Sequence, residues 1–566
     1  MNSLNKVFLK IDRNFVYISH ESIGHKTLDI DSNSSFPAIM KSLEGLEVVV
    51  WGLDQEVRVF QSLGITGSFK WIDAQVAYRL LHNGSQVFKD LHYTLQTCCQ
   101  VLDIEYTEFP LPSVAELIFK QCEEAGITDS EIYYFSAYCF SQAQITAHGI
   151  PIDSKLLKNL CSKSVWLQES LIYRLNTEIF PFYEKTKDRW VFKANRFERY
   201  LRENNLIDTW PRSEKGNIET DSDTLQQYGD SNILKLAKTQ GQIVNLSWFE
   251  GHTPEEWNGR FDGRRIYGYH APLATVTGRH ADPAKTFPLS YSSWQRAIIS
   301  PDPGRVFVCA DFSSQEFGIA AGYFGDSAMI KAYNTTDPYW AMAVQTGAIP
   351  DPLPSDKTPL DYKPVRTLFK SVCLGLLYGM GPNTLAHKLS IDTGRKVSII
   401  EATKFRDLFR DTYFTFWTKS IRLIKDMQNM DVFSTADHWR IYPKNVKYGT
   451  LKNFPIQATA QVILRLSVMK ALKAGLKIIY TYHDCITIEC LDSQKEEQST
   501  LLRSIMEEMS QKILPNIHIN TSVKIYHPDY FWVDPKGVQS FEFFAPLLGW
   551  KYEKEIIDGN TFYKRS

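Results

Sequence analysis

The chain has 566 residues, of which 43% are hydrophobic and 22% charged, and its formal net charge is −1. This composition is typical of a folded globular protein and excludes disorder, collagen and coiled coil as the main architecture, while the length predicts about four structural units. The charge balance neither predicts nor excludes nucleic acid, because a neutral protein can carry a basic cleft.

Cysteine usage and the start of the chain bear on location. Nine cysteines are too few for a disulfide scaffold and form no C-x-x-C pair, which is typical of a reducing compartment. The N-terminal MNSLNKVFLKIDRN lacks the apolar segment of a signal peptide, and the longest apolar runs are far shorter than the roughly 18 residues that cross a bilayer. We therefore expect a cytoplasmic protein with no membrane partner.

The first half of the chain shows two patterns. Residues 1–150 mix short β-like runs (VFLKI, NFVYIS and LEVVVWG) with the helical stretch DAQVAYRLLHNG, which predicts a small α/β unit. Residues 152–250 are mostly helical in pattern and include KDRWVFKANRFERYLRENN. Its basic residues interleaved with aromatic ones suit a nucleic-acid backbone, although a solvated amphipathic helix accounts for the same pattern.

From about residue 260 the pattern changes again. FDGRRIYGYH and RVFVCADFSS have the character of strands, helices dominate from 313 to 430, and KIIYTYHDCITIEC predicts a strand pair. The C-terminal half is therefore predicted to be a β-sheet platform that is interrupted by a long helical insertion.

Two aspartates stand at the ends of predicted strands. Asp311 ends the strand in RVFVCAD, and Asp484 lies at the tip of a tight hairpin between IIYTY and ITIE. Each has an ordinary explanation, with Asp311, Ser313 or Ser314 as a helix cap and Asp484 as a turn residue. Because both hairpin arms are apolar enough to be buried, the tip is also a rigid platform for a metal ligand.

The segment KPVRTLFKSVCLGLLYGMG, residues 363–381, predicts one helix with a mixed face. Arg366, Lys370, Leu374 and Tyr378 recur every four residues and form a slowly spiralling stripe. Two cations four residues apart on one face can bind a polyphosphate, and a ring further along can stack against a base. Taken alone, the pattern favours an amphipathic surface helix.

Together, the two carboxylates and this helix supply the parts of nucleotidyl transfer. Two Mg²⁺ ions between Asp311 and Asp484 would activate an attacking hydroxyl and stabilise the leaving pyrophosphate. Catalysis by such a site is mostly positioning and charge neutralisation.

Over residues 262–535 the sequence resembles the family A DNA polymerases, the bacterial DNA polymerase I family. Three segments carry the resemblance: ADFSSQEF is similar to motif A, the stripe from Arg366 to Tyr378 with Gly379 to motif B, and Tyr482-His483-Asp484 to motif C. Supporting matches are Thr277-Gly278-Arg279, Asn453-x-x-x-Gln457 followed by Ala458-Thr459-Ala460, and Thr220-Asp221.

The resemblance implies an α/β multidomain fold, a right-hand polymerase of palm, fingers and thumb with an N-terminal ribonuclease H-like 3′–5′ exonuclease-type domain. The implied boundaries are a degenerate exonuclease-like domain at 1–150, thumb at 151–260, palm at 261–325, fingers at 326–435 and the second part of the palm at 436–566. It also implies a monomer that binds primer–template DNA and dNTPs, with any processivity factor left open. The short length and the lack of a 5′-nuclease domain resemble phage or plasmid enzymes, which would place a viral protein in the host cytoplasm.

The resemblance also assigns roles to single residues. Asp311 and Asp484 become the catalytic metal ligands, with the carbonyl of Phe312 completing a shell around two Mg²⁺ ions, for which Mn²⁺ can substitute. Lys370 becomes a triphosphate ligand and the candidate acid for the pyrophosphate. The implied dNTP-binding residues are Arg366, Lys370, Leu374, Tyr378, Tyr339, and Glu316 as the steric gate that excludes a ribose 2′-OH. The implied DNA-binding residues are Arg279, Asn453, Gln457 and His483.

Several positions depart from the family pattern. Leu374 stands where Phe or Tyr is usual, and Cys485 replaces the Glu that usually follows the motif C aspartate. Tyr339 lies where the family often has a phosphate-binding His, and it could donate only a weaker, neutral hydrogen bond. Motif A differs in sequence but keeps its aspartate–glutamate separation, so the mechanism is expected to survive.

The exonuclease-type domain lacks ligands. Two-metal hydrolysis there needs four carboxylates, in Asp-x-Glu, Asn-…-Asp and Tyr-x-x-x-Asp segments. The candidates are Ser19-His20-Glu21 or Asp12-Arg13-Asn14 for the first, Glu56 for the second, Tyr138-x-x-x-Gln142 for the third, and the DAQVAYRLL segment that begins at Asp73. Since at least two ligands are missing, we expect a structural remnant without proofreading.

Two alternatives compete with a DNA polymerase. A single-subunit RNA polymerase shares the palm and motif B, but Glu316 in the steric-gate position and Thr277-Gly278-Arg279 argue against it. A catalytically inactive DNA-binding scaffold is the other alternative, and the intact carboxylates and the two cations of the stripe argue against that.

Overall fold

A computed structural model gives the fold of the chain. It describes residues 6–566 except 13–14, 21, 31–35, 66–68, 85–93, 188, 254–260, 269, 282–287, 336, 394 and 558–559. Arg13, Asn14 and Glu21, which were considered for the nuclease site, lie outside the described residues. Within the described part of the chain, no helix combines the length and the apolar character that a membrane span needs.

The N-terminal unit, residues 6–148, is a five-stranded sheet with surrounding helices. Its elements are β1 (Lys6–Asp12), β2 (Phe15–His20), β3 (Gly24–Asp29), α1 (Phe36–Ser42), β4 (Glu47–Val50), α2 (Asp54–Ser62), β5 (Lys70–Asp73), α3 (Ala74–His82), α4 (Leu95–Val101), α5 (Leu111–Glu124) and α6 (Asp129–His148). The strand order is β3-β2-β1-β4-β5, antiparallel from β1 to β3 and parallel from β1 to β5. Buried Val7, Leu9, Val48 and Val49 give it an apolar core, in line with the predicted α/β pattern.

The next segment is mainly helical. Its elements are β6 (Ile150–Pro151), α7 (Ser154–Glu178), β7 (Tyr183–Thr186), β8 (Arg189–Phe192), α8 (Ala194–Glu203), α9 (Ser222–Tyr228) and α10 (Ser231–Ser247). The basic stretch here is not one helix, because Arg189–Phe192 pairs with β7 as a strand before α8 begins. Trp190 and Phe192 alternate with exposed neighbours, and this period of two favours a strand over a helix.

A four-stranded antiparallel sheet, the central sheet, forms the core of the C-terminal half. The elements here are β9 (Arg265–Ile266), β10 (Arg305–Phe312), α11 (Gln315–Phe324), α12 (Ser327–Tyr333), α13 (Pro338–Gln345), α14 (Lys363–Leu377), α15 (Pro382–Thr393), α16 (Ile399–Thr412), α17 (Phe414–Gln428), β11 (Phe433–Ser434), β12 (Arg440–Ile441), α18 (Tyr448–Lys473), β13 (Ile478–Tyr482), β14 (Cys485–Leu491), α19 (Lys495–Ile513) and β15 (Thr521–Tyr526). The order β13-β14-β10-β15 puts the first strand in the middle, and α11 to α18 lie between β10 and β13 in the chain. The platform with a helical insertion is thus present.

The chain ends in a helix and a hairpin, α20 (Val538–Leu548), β16 (Tyr552–Ile557) and β17 (Asn560–Arg565). This terminal piece closes against α7 rather than extending the central sheet. Lys163 donates to the Leu547 carbonyl at 2.9 Å, and the Arg565 guanidinium donates to Asp153 Oδ2 at 2.7 Å. The sequence patterns had not distinguished it from the rest of 436–566.

Candidate active site

The pairing of three strands brings Asp311 and Asp484 together. β13 ends at Tyr482 and β14 begins at Cys485, so His483 and Asp484 form the two-residue turn between them. In the register of β10 against β14, Asp311 lies opposite Cys485, the neighbour of Asp484. The predicted strand end and hairpin tip therefore meet at one edge of the central sheet.

The two carboxyl groups are hydrogen-bonded to each other in a cleft, reached by solvent yet largely surrounded by protein. Burial, together with the neighbouring Asp311 carboxylate, raises the pKa of Asp484 to about 8. Burial also raises the pKa of Asp311, although its hydrogen bond with Asp484 and the charge of Lys524 oppose that rise. At neutral pH Asp484 is therefore largely protonated and shares its proton with Asp311.

This shared proton marks a position that favours a cation. Two ionised carboxylates in contact repel each other, and a divalent cation between them removes that repulsion. Mg²⁺ fits this donor set because it keeps several waters and binds through one or two carboxylates plus substrate phosphates. Within the described ranges, no cluster of three or more His, Cys, Asp and Glu side chains could hold a metal ion, so the site would rely on Asp311, Asp484 and the Phe312 carbonyl.

Helix α14 carries the predicted stripe. Pro364 lies in its first turn, as expected, and Tyr378 follows its last residue. Lys370 is exposed and lies near enough to Asp311 for its charge to oppose the rise that burial causes in the pKa of that carboxyl group. Leu374 and Tyr378 are half-buried. The stripe therefore runs from accessible cations to a more enclosed, apolar end.

Arg366 is held by a residue that the sequence reading did not assign. Asp337 Oδ2 accepts a hydrogen bond from Arg366 Nε at 2.6 Å. Its other oxygen accepts from the amides of Tyr339 and Trp340, at 2.9 and 3.0 Å, where α13 begins. One carboxylate thus caps α13 and orients a candidate phosphate ligand on α14.

Tyr339 contacts the cations through its ring. The side chain is only 3% exposed, burial raises the pKa of its hydroxyl, and that hydroxyl is hydrogen-bonded to Ser314. Its ring centroid lies 5.4 Å from the Arg366 guanidinium and 6.0 Å from Lys370 Nζ, which is cation–π distance. Ser314 directly precedes α11 with φ +49° and makes no side-chain capping hydrogen bond, so the predicted cap by Ser314 is wrong.

Glu316 and Arg279 face each other across the cleft. Glu316 lies in the first turn of α11, and Arg279 Nη2 donates to its Oε1 at 3.1 Å. Burial raises the pKa of Glu316, while the charges of Arg279 and Lys370 oppose that rise. The candidate gate and the candidate DNA contact are thus ion-paired.

Helix α18 supplies the remaining candidates. Asn453 and Gln457 are one turn apart and half-buried. Asn453 Oδ1 is buried without a hydrogen-bond partner in the described part of the chain, and a bound ligand can satisfy such an acceptor. Gln461 Nε2 approaches the His483 carbonyl at 3.5 Å, which links this helix to the catalytic turn.

A cavity of about 220 Å³ adjoins the carboxyl pair, and its lining includes Arg296, Lys524 and Trp532. Cys485 also lies there, with its Sγ 2.8 Å from that of Cys309, so a thiol pair replaces the carboxylate usual at that position. Sequence reading missed Arg296, Lys524 and Trp532 because they come from separate segments that only the folded sheet brings together.

In the N-terminal unit, Glu56 does not form an open metal site. Its Oε1 accepts a hydrogen bond from the Ile11 amide at 3.2 Å, so it lies against β1, where the first nuclease segment was sought. Burial raises the pKa of Glu56 to about 8. At neutral pH this carboxyl group is therefore largely protonated and a poor metal ligand.

Asp73 and Gln142 lie on one small cavity of about 20 Å³. Asp73 caps α3, accepting from the amides of Gly52 and Gln75 at 3.0 Å each, and burial raises its pKa to about 6. Gln142 donates to the Tyr138 hydroxyl at 3.1 Å. These groups are thus committed to structural hydrogen bonds.

Comparison with known proteins decides the family. The sequence model of DNA polymerase family A matches residues 194–527, more than half of the chain. The chain belongs to DNA polymerase family A. This polymerase is thus a DNA-directed DNA polymerase, as the motifs predicted, and the RNA polymerase alternative is set aside.

Individual relatives agree. The polymerase is 23% identical to DNA polymerase I of Aquifex aeolicus over 79% of this chain and 74% of that protein. It is 24% identical to the DNA polymerase of Mycobacterium phage D29, over 47% and 43%. The POL domain of Pol1 from M. smegmatis, solved in complex with DNA primer-template and dNTP, matches with a TM-score of 0.71 at 17% identity, over 94% of this chain and 96% of that one. The polymerase-domain fold is thereby confirmed.

Proposed function

We propose that the polymerase adds dNTPs to the 3′ end of a DNA primer by two-metal nucleotidyl transfer. The hydrogen-bonded carboxyl pair of Asp311 and Asp484, with Lys370 of α14 near Asp311, carries this proposal. Two Mg²⁺ ions, or Mn²⁺ in their place, would be held by this pair and the Phe312 carbonyl, and when bound they would lower the pKa of the primer hydroxyl and neutralise the pyrophosphate.

Helix α14 holds the nucleotide in this proposal. Arg366, fixed by Asp337, offers its remaining N–H groups to the triphosphate. Lys370 faces the carboxyl pair, where it neutralises phosphate charge and donates a proton to the departing pyrophosphate. Leu374 and Tyr378 continue that face toward the nucleobase.

The DNA occupies the other side of the cleft. Arg279, Asn453, Gln457 and His483 contact the primer–template near the primer end. Residues 151–260 act as the thumb, 261–325 and 436–566 as the palm, and 326–435 as the fingers. All these groups belong to one chain, so a monomer suffices.

Primer extension tests the proposal. On a primed template with Mg²⁺, we expect template-directed extension with dNTPs and little with rNTPs. Unprimed synthesis from rNTPs would contradict it in favour of an RNA polymerase. Binding of primer–template without extension by either nucleotide would support the inactive scaffold.

Glu316→Ala is expected to raise rNTP incorporation relative to dNTP incorporation by about ten-fold or more, because it opens space beside the sugar 2′ carbon. Competition between the two nucleotides in single-turnover extension measures the ratio. Glu497→Ala is the matched control, since Glu497 also lies in the first turn of a helix, α19, but is exposed. If Glu316→Ala still excludes rNTPs as well as the wild type, another residue is the gate.

We also propose that proofreading is lost. Metal-assisted hydrolysis needs several carboxylates that ionise together. Glu56 is held protonated by burial, Asp73 is engaged as a helix cap, and Gln142 is neutral. The described candidates of the N-terminal unit therefore lack the charge to hold two metal ions.

The wild-type protein is accordingly expected to show no measurable 3′–5′ shortening of a mismatched, labelled primer with Mg²⁺ and no dNTP. Gel analysis over hours measures this, and Asp484→Ala serves as the background without polymerisation. Shortening that disappears in Glu21→Ala or Glu56→Ala but persists in Asp484→Ala would show that the unit is a working nuclease.

A further inference from the structure

The loop at residues 270–281, called here the arginine loop, presents Arg279 to the cleft. Ala271 and Ala281 exchange backbone hydrogen bonds at its base, at 3.3 and 3.1 Å. At its tip the Thr275 amide donates to the Arg279 carbonyl, and the Arg279 amide donates to Thr275 Oγ1 at 2.9 Å. The position of the Arg279 side chain therefore follows the conformation of this loop.

Two residues of the arginine loop have left-handed backbone. Leu273 has φ +55° although it is not glycine, and its side chain is only 1% exposed. Gly278 has φ +75°, and a Cβ there would lie 2.8 Å from Arg465 Nη1, so only glycine fits. A leucine in this left-handed conformation is strained, and such strain persists only when surrounding groups hold it.

Two of those groups come from the N-terminal unit. Arg79, 5% exposed, donates to the Leu273 carbonyl at 2.8 Å. Asn83, 3% exposed, donates to the Val276 carbonyl and to the Arg440 carbonyl, at 2.7 Å each. The two contacts to the loop span 194 and 193 residues of sequence, and Trp439 Nε1 also donates to the Val276 carbonyl at 2.9 Å. The strained backbone is therefore held from outside the loop.

A third contact lies just past the arginine. The Tyr138 hydroxyl on α6 is hydrogen-bonded to His280 Nε2, and burial lowers the pKa of His280 well below its usual value, so the ring is neutral. Helix α3, which carries Arg79 and precedes Asn83, is capped by Asp73. The segment from Asp73 that resembles a nuclease motif therefore leads into Arg79 and Asn83, whose side chains are hydrogen-bonded to the polymerase half.

We infer that the N-terminal unit positions Arg279 for synthesis, with Arg79, Asn83 and Tyr138 as positioning residues that hold the arginine loop in its strained conformation. The inference rests on the proposed contact of Arg279 with the primer end. Under this inference the N-terminal unit contributes to synthesis without binding a metal ion. Primer extension then depends on residues that lie outside the cleft.

Amide hydrogen exchange tests directly whether Arg79 and Asn83 stabilise the arginine loop. In full-length Asn83→Ala, the peptide covering 271–281 is expected to exchange about ten-fold faster, because the Val276 carbonyl loses one of its two donors and the side chain that links it to the Arg440 carbonyl is gone. Arg79→Met, which keeps length but removes the donors, should do the same, so the test survives if one variant fails to fold. Asn516→Ala is the matched control, since Asn516 donates to the distant Gly322 carbonyl at 2.9 Å outside the loop.

Extension kinetics then test the consequence. Asn83→Ala should lower kcat/KM for dNTP roughly three- to ten-fold, a positioning effect, and Asn516→Ala should not. In an Arg279→Ala background, Asn83→Ala should add little further loss while still accelerating loop exchange. A general loss of stability would instead lower extension equally in both backgrounds.

The outcomes separate the inference from the proposed function. Unchanged exchange at 271–281 in both variants overturns the inference. Fully additive losses in the Arg279→Ala background, or faster exchange with normal extension while Arg279→Ala is impaired, also overturn it. If Arg279→Ala itself extends normally, the proposed role of Arg279 fails and the inference fails with it.

Discussion

Replacing Asp311 or Asp484 by alanine is expected to abolish primer extension while DNA binding persists. Loss of a metal ligand should remove about 4 kcal/mol or more of transition-state stabilisation, which is roughly a thousand-fold in turnover. Affinity for DNA depends mostly on phosphate contacts of basic residues, which neither change removes. Single-turnover extension measures the first effect, and fluorescence anisotropy with labelled primer–template measures the second.

Asp492 offers a matched control for this prediction. Asp484 precedes β14 and Asp492 follows it, so the two aspartates lie at opposite ends of one strand. Asp492 accepts a hydrogen bond from Lys495 at 2.8 Å on the surface, and Asp492→Ala should extend primers at the wild-type rate. Near wild-type extension by Asp311→Ala or Asp484→Ala would overturn the two-metal assignment.

The second large effect concerns stability. Arg465 on α18 is fully buried, and its Nε donates to Asp437 Oδ2 at 2.8 Å, while Tyr134 from the N-terminal unit donates to the same oxygen at 3.2 Å. Asp437→Ala leaves a buried guanidinium without its counter-charge. We expect the free energy of unfolding to fall by about 3–5 kcal/mol, measured as a shift of the first urea transition.

A double variant separates lost charge pairing from lost packing. Removing both partners of a buried ion pair is far less costly than removing one, because no unpaired charge remains. Asp437→Ala combined with Arg465→Met should therefore be more stable than Asp437→Ala alone. A double variant that is less stable than the single one would contradict this account.

The central features of the site could be predicted because their signals are local. Asp311 and Asp484 each adjoin a short, strongly apolar strand, and the spacing of Arg366 and Lys370 is that of one helix face. Strand ends and helix faces follow from backbone geometry alone, so the residues that meet in the cleft were identifiable before the fold was known.

The partners of these residues could not be predicted in the same way. Asp337, at the start of another helix, accepts a hydrogen bond from Arg366, and Asn83 donates to the Val276 carbonyl 193 residues away in the chain. Such contacts depend on tertiary packing and leave no period in the sequence. The serine cap failed for a related reason, since Ser314 adopts left-handed backbone and bonds to Tyr339 instead of capping the helix.

The closure of the chain end on α7 has a consequence for synthesis on the ribosome. The N-terminal unit pairs strands that are near in sequence, so it can fold while translation continues. Cys309 and Cys485, neighbours in the central sheet, are 176 residues apart, and Arg565 reaches Asp153 across 412. A nascent chain therefore has no assembled catalytic edge until the segment around Cys485 has been translated, and the contact with Asp153 forms only after Arg565 has left the exit tunnel.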